Sequence, residues 1–267
     1  MQEQFFGKTV LNSKVRTFSE EELTQDAFLG GKLTLRQPRI GYRAGVDPVF
    51  LAASVPAKPG DRVLELGCGA GPALLCLGAR VSGLYLWGVE RQPDYSELAR
   101  WNAESNGLDA VIETNDLRDL SAELRQMSFD HVIANPPYYD PSQRVPAQDS
   151  GKEAGLSIET PLADWIKAAA KRTAPRGTVT FIHRAEKLPE LISGFAKYLG
   201  SVEVKPFVPR SGRDAGLVLI RGRKEGRAPF RLHAPIVLHQ GRQHMTDGDD
   251  YRPEIRAILR HGGALSF

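Results

Sequence analysis

From Arg62 onward, short apolar runs alternate with amphipathic stretches, and this alternation restricts the fold more than any other feature of the chain. Residues 62–66, 84–89, 111–112, 129–134 and 178–183 read as strands. Between them lie helical segments that open at Pro72, Pro93 and Pro161, positions where a missing N–H costs a helix nothing. Leu162, Trp165, Ile166 and Ala169 share one helical face, Gly107 stops the helix that begins at Pro93, and Leu188, Leu191, Ile192, Phe195 and Leu199 mark a further helix. Strands separated by helices pair in parallel through crossover connections. The expectation is an α/β, Rossmann-like fold with a mainly parallel seven-stranded sheet, finished by an antiparallel C-terminal hairpin from strands near 202–208 and 217–222.

Three segments follow. Residues 1–60 read as an N-terminal extension. It shows no period up to about Gln25 and reads there as a loosely docked arm. A hairpin follows, with residues 27–29 and 32–35 around Gly30-Gly31, then a short helix over residues 48–53 with Asp47 as N-cap and Pro48 as first helical residue. Residues 61–225 form the body. Residues 226–267 form a tail packing on it and end in a short helix opened by Pro253. With 267 residues, 41% hydrophobic and 25% charged, the chain can bury a sizeable core. It has no apolar run that would span a bilayer, and Glu3 stands where a signal peptide would be basic. A soluble, cytoplasmic protein with no membrane partner is expected. Cys68 and Cys76 have no clustered companions, so two free thiols and no metal site are expected.

Two stretches carry the chemistry. The first is Gly67-Cys68-Gly69-Ala70-Gly71, a glycine turn at the end of the first body strand, where backbone can approach a ligand closely. Its spacing departs from the dinucleotide fingerprint, and alone it leaves a dehydrogenase and a methyltransferase both open. Glu90 ends the second strand, 19 positions after Gly71, where a carboxylate can hold ribose hydroxyls. Glu65 precedes the turn, and a carboxylate there suits an ammonium or sulfonium rather than a pyrophosphate. Pro72 removes a donor that a phosphate-binding helix start would use. S-adenosylmethionine carries both cationic groups. The second stretch is Asn135-Pro136-Pro137-Tyr138, where two prolines end an apolar strand. The Asn135 side-chain oxygen and the Pro136 carbonyl can converge as acceptors on one amino group. The face of Tyr138 can stack a flat ring, so only that face, and not the hydroxyl, is expected to matter.

Taken together, these motifs resemble the class I S-adenosylmethionine-dependent amino-methyltransferases with an Asn-Pro-Pro-Tyr loop. With residues 41–47 added, Gly41-Tyr42-Arg43-Ala44-Gly45-Val46-Asp47, the chain resembles the bacterial tRNA1(Val) adenine-37 N6-methyltransferase family from about Asp26 to Leu238. The resemblance implies that fold, S-adenosylmethionine as cofactor and an RNA substrate, most naturally the anticodon loop of a tRNA. It implies a cofactor set of Arg43, Asp47, Glu65, Gly67, Cys68, Gly69, Ala70, Gly71, Glu90, Asn115, Asp116 and Asn135, with Asp116 near the cofactor adenine and Arg43 and Asp47 toward its methionine end. Asn135, Pro136, Pro137 and Tyr138 are the implied catalytic loop.

The formal charge of +3 does not by itself announce nucleic acid. Lys205, Arg210, Arg213, Arg221, Arg223, Lys224, Arg227 and Arg231, against Asp214 and Glu225 alone, form a local excess that can track phosphates or simply face solvent. Tyr139, Arg144 and residues 150–155 with Lys152 read as a substrate flap, and His183 as a structural histidine. N5-methylation of a protein glutamine and a non-catalytic cofactor-binding RNA module are competing functions, and DNA adenine is a third, against which stands the lack of a long domain to read a duplex. Monomer and homodimer both stay open.

Overall fold

Strand β3 (Arg62–Leu66) occupies the centre of the sheet because it is apolar on both faces, with Val63, Leu64 and Leu66 fully buried. The computed structural model describes residues 17–138, 160–241 and 250–267. β3 pairs in parallel with β4 (Tyr85–Glu90) on one side and β6 (Phe129–Ala134) on the other. β5 (Ala110–Thr114) extends the sheet beyond β4, and β7 (Thr173–Arg184) lies beside β6. The chain reverses in β9 (Leu217–Arg223), which is antiparallel to both β7 and β8 (Gly200–Val208). The strand order therefore changes direction between β3 and β6, and their carboxyl ends open the crevice where sheets of this kind hold ligands.

Side chains alternate across the strands and feed two cores. Val63, Ile133 and Ile182 face the helices Asp47–Ser54, Pro72–Arg80 and Pro93–Ser105, while Leu64, Val132 and Phe181 face the helices Leu162–Arg172 and Leu188–Tyr198. Each fully buried Leu or Phe contributes on the order of 1.5–3 kcal/mol.

The hairpin before the body is longer than its glycine turn suggested. β1 (Leu23–Phe28) and β2 (Leu33–Pro38) pair from Leu23↔Pro38 to Phe28↔Leu33. Thr24 and Asp26 masked the first strand as polar, yet their side chains hydrogen-bond each other and Gln37 across the pair, and Leu23 is buried beside Tyr95 and Leu98. The N-cap reading of Asp47 is corrected. Val46 precedes the helix and Asp47 is its first residue, which frees the carboxylate for another partner. The C-terminal helix Pro253–His261 packs Ile255 and Ile258 into the same core as Leu29, Leu33 and Phe50. At the hairpin turn Gly30 has φ 69°, and a Cβ there would sit 2.3 Å from the Arg260 carbonyl oxygen. Two short strands that no periodicity marked, β10 (Arg231–Leu232) and β11 (Ile236–Val237), add in parallel to β8 and make a nine-stranded sheet. Among the described residues no helix is long and apolar enough to cross a membrane.

Candidate active site

Beyond the carboxyl ends of β3, β4 and β6 lies a cavity of 270 Å³, lined by Gly67 and Gly69, Glu90, Asn115 and Asp116, Asn135 and Pro137, with Tyr42, Leu117 and Trp165 closing it. A larger cleft of 720 Å³ lies at the opposite end of the strands, around Asp61, His131 and Arg223. The smaller one sits at the switch in strand order, the position that binds ligands in open α/β sheets.

The three glycines of the turn do different jobs. Gly67, Gly69 and Gly71 all have positive φ, at 64°, 56° and 86°. A Cβ on Gly67 would meet the Trp165 ring at 2.3 Å, and one on Gly71 would crowd Leu75 at 3.2 Å. Only Gly69 borders open space, with nothing nearer to its missing Cβ than Tyr42 at 4.0 Å. Close approach of a ligand is thus a property of Gly69, whereas Gly67 makes room for an indole. Cys68 and Ala70 are buried beneath the turn, and Cys68 and Cys76 are free thiols pushed up in pKa by burial.

Glu90 accepts from Gly69 N at 3.0 Å through Oε2 and from Gln92 N at 2.8 Å through Oε1. Burial raises its pKa, and these N–H groups work against the rise. Each oxygen has a further lone pair, so the carboxylate can still accept from a vicinal diol at the cavity floor. Val89, Leu117, Pro137 and Trp165 add apolar walls suited to a flat ring. A ribose acceptor, an uncrowded glycine edge and apolar walls fit a nucleoside cofactor of the S-adenosylmethionine kind.

The remaining expected residues separate. Glu65 lies behind the turn, since strand alternation turns it toward the helix Pro72–Arg80, where it accepts from Leu74 N at 2.9 Å. Burial, with Glu90 nearby, raises its pKa well above the usual carboxylate range. Asn115 donates to Glu113 at 2.9 Å. Asp116 reaches the cavity, but Arg118 grips both its oxygens at 3.0 and 2.8 Å and lowers its pKa. Arg43 does not line the cavity: its guanidinium holds the hairpin through Asp26 at 2.9 Å, Thr24 at 2.7 Å and the Pro38 carbonyl at 2.9 Å. Asp47 is turned to Tyr138, whose hydroxyl donates to it at 2.8 Å. Tyr138 also meets His183 edge to face, with centroids 5.1 Å apart, and Arg184 lies 5.8 Å from the ring. His183 accepts from Arg184 N and is pushed down to about 4 by burial and nearby cations, so it is neutral near pH 7.

Asn135 donates through Nδ2 to the Tyr42 hydroxyl at 3.1 Å. Pro136 is buried and Pro137 exposed. Tyr42 and Trp165 line the cavity unanticipated. Tyr42 stands inside the 41–47 motif, and Trp165 on a face that periodicity assigned to packing alone. Tyr139, Arg144 and residues 150–155 lie outside the described residues.

The basic run is not one surface. Reversal of the chain at β9 sends Arg210 and Arg213 to the cavity end of the sheet and Arg221, Arg223 and Arg231 to the opposite end. Several of these charges are engaged: Arg210 with Asp250 and the Gln240 carbonyl, Arg221 with Glu203, Lys205 with the Ser266 carbonyl and Lys224 with that of Ala170. Arg213, in the loop between β8 and β9, and Arg184, the last residue of β7, are both exposed at the cavity end of the sheet.

Residues 44–149 match the family described as methyltransferase small domain. A tRNA1(Val) (adenine(37)-N6)-methyltransferase of Porphyromonas gingivalis is 29% identical over 175 residues, 62% of this chain and 68% of that protein. The enzyme of the same description from Haemophilus influenzae is 24% identical over 236 residues, 87% of this chain and 96% of the other. Among solved structures, a predicted O-methyltransferase of Agrobacterium tumefaciens superposes with a TM-score of 0.66 at 25% identity, over 83% of this chain and 99% of that one.

Proposed function

We propose that the chain is an S-adenosylmethionine-dependent methyltransferase of class I fold and that it methylates N6 of an adenine in RNA, in the anticodon loop of a tRNA, in the cytoplasm. The observation that carries this reading is Asn135, which lines the same cavity as Glu90 and donates to the Tyr42 hydroxyl at 3.1 Å. S-adenosylmethionine, when bound, supplies a methyl group on a cationic sulfur. Glu90 would take its ribose hydroxyls, Gly69 would let it approach the backbone, and Leu117 and Trp165 would flank its adenine, with Asn115 and Asp116 at the edge.

The amino nitrogen of adenine shares its lone pair with the ring. Two hydrogen bonds, to the Asn135 oxygen and the Pro136 carbonyl, would localise that pair for attack. The proton is lost after the nitrogen becomes cationic, so positioning and preorganised dipoles supply the rate and no strong base is needed. The neutral His183 agrees with this. Tyr138 would stack the base, which must be flipped out of any helix at a cost of a few kcal/mol, least in a single-stranded loop. Arg184 and Arg213 at the same end would meet phosphates. The two relatives described as tRNA1(Val) adenine enzymes favour this substrate over a hydroxyl acceptor.

Mass spectrometry of nucleosides from tRNA incubated with enzyme and cofactor tests the reading. N6-methyladenosine should form with the wild type and fall about 10²–10³-fold with Asn135→Ala. Transfer only to protein glutamine, only to a hydroxyl, or undiminished transfer by Asn135→Ala would overturn it.

A further inference from the structure

An asparagine amide has nearly the same shape when its oxygen and nitrogen are exchanged, so packing cannot choose between them and only a hydrogen-bond partner can. Which atom faces the target amine decides whether Asn135 accepts from it or repels it. The partner present is Tyr42, and its backbone is unusually well fixed. Tyr42 N donates to the Tyr95 hydroxyl at 3.0 Å, and that hydroxyl donates to the Tyr42 carbonyl at 3.2 Å. Just before it, Gly41 has φ 114°, and a Cβ there would approach the same hydroxyl to 2.9 Å. Tyr95 is itself buried on the helix Pro93–Ser105. The Tyr42 ring is thereby carried over the edge of Gly69 although the residue stays 53% exposed.

A hydroxyl can donate as well as accept. Burial, Glu65 and Asp47 raise the Tyr42 pKa, which keeps the proton on the oxygen. The oxygen carries two lone pairs, and the 3.1 Å contact offers one of them to Nδ2 of Asn135.

We propose that Tyr42 is a positioning residue of the transfer step, which by accepting from Nδ2 of Asn135 keeps the Asn135 oxygen turned to the incoming amino group. The proposal rests on the reading of Asn135 as acceptor for a planar amine. Residues 39–46 then belong to the transfer machinery through Tyr42 rather than through Arg43, which serves the hairpin.

Tyr42→Phe tests it, since the ring remains and only the oxygen is lost. We expect kcat to fall roughly tenfold, with cofactor Kd and KM for tRNA within about twofold, because the groups that bind both are untouched. In an Asn135→Ala background, where no amide needs orienting, Tyr42→Phe should change the residual rate, followed by radiolabelled methyl transfer, by less than about twofold. A second readout uses the ligand-free protein. The Asn135 side-chain amide signal in ¹⁵N-resolved NMR should shift and exchange with solvent several-fold faster in Tyr42→Phe, while backbone signals outside the site stay in place. An unmoved Asn135 amide signal, or an equal Tyr42→Phe loss with and without the Asn135 amide, would overturn the proposal. The NMR arm decides it even if wild-type enzyme fails to methylate tRNA, a result that would count against the proposed substrate and not against Tyr42.

Discussion

The Tyr138 hydroxyl donates to the Asp47 carboxylate at 2.8 Å, which ties the loop after β6 to the first residue of the helix Asp47–Ser54. Burial raises the Asp47 pKa, with the Tyr138 hydrogen bond and Arg184 opposing the rise. The hydroxyl of Tyr138, which the sequence reading left without a part, is thus engaged alongside the ring face. A hydrogen bond to a carboxylate is worth roughly 1.5–3 kcal/mol, so Tyr138→Phe should lose about tenfold in kcat/KM and melt at a lower temperature. Asp47→Asn, which keeps an acceptor oxygen, should lose less. Wild-type kinetics and melting in Tyr138→Phe would show that the tie positions nothing.

Gly67 and Gly69 predict opposite failures. Gly67→Ala drives a Cβ to 2.3 Å from Trp165 at a φ of 64°, and should destabilise the fold by about 2–4 kcal/mol. Gly69→Val meets open space but must hold φ 56°, so it should cost roughly 1–2 kcal/mol of stability yet stay folded, with cofactor binding at least roughly tenfold weaker by calorimetry. An unchanged dissociation constant in folded Gly69→Val would remove the turn from the cofactor site.

Charge at the two ends of the sheet should separate in RNA binding. Arg184→Ala with Arg213→Ala should weaken tRNA binding and reduce its salt slope by about 0.7 per lost phosphate contact. Arg223→Ala with Arg231→Ala, at the opposite end, should leave the slope alone. Arg210→Ala breaks the Asp250 pair and should register in thermal melting rather than as a clean loss of RNA affinity. Equal salt slopes for all three proteins in filter binding would mean that the cavity-end arginines only face solvent.

Glu65 makes stability depend on pH with a definite sign. Its pKa in the fold is raised by burial, so between the unfolded and folded values the native state holds the extra proton and stability falls as pH rises. Glu65→Gln keeps an acceptor for Leu74 N and removes the titration. The stability of Glu65→Gln relative to wild type should grow by up to ~1.4 kcal/mol per pH unit across that interval. Parallel urea-unfolding curves for the two proteins from pH 4 to pH 8, an interval taken from the direction of the shift and the usual value of roughly 4.3 for Glu, would contradict this.

The alternation of apolar runs with proline-opened helices was enough to place every strand of the body, because a strand buried on both faces must be apolar throughout and a crossover helix must carry a stripe. The same local signals put Gly69, Glu90 and Asn135 at strand ends, and strand ends in a parallel sheet converge on one edge. Tertiary structure alone decided what each side chain faces there. Gly67 answers to Trp165, Arg43 to Asp26, and Arg210 to Asp250, contacts made between residues 17 to 98 positions apart that no local period records. The basic run looked continuous because charge was counted along the chain, and β9 divides it because an antiparallel return carries neighbouring residues to opposite ends of a strand. The partners of Asn135 and Tyr138 were hidden for a like reason. Tyr42 and Asp47 come from the segment before the body, and they reach the loop after β6 only because the hairpin and its following helix pack over the end of the sheet.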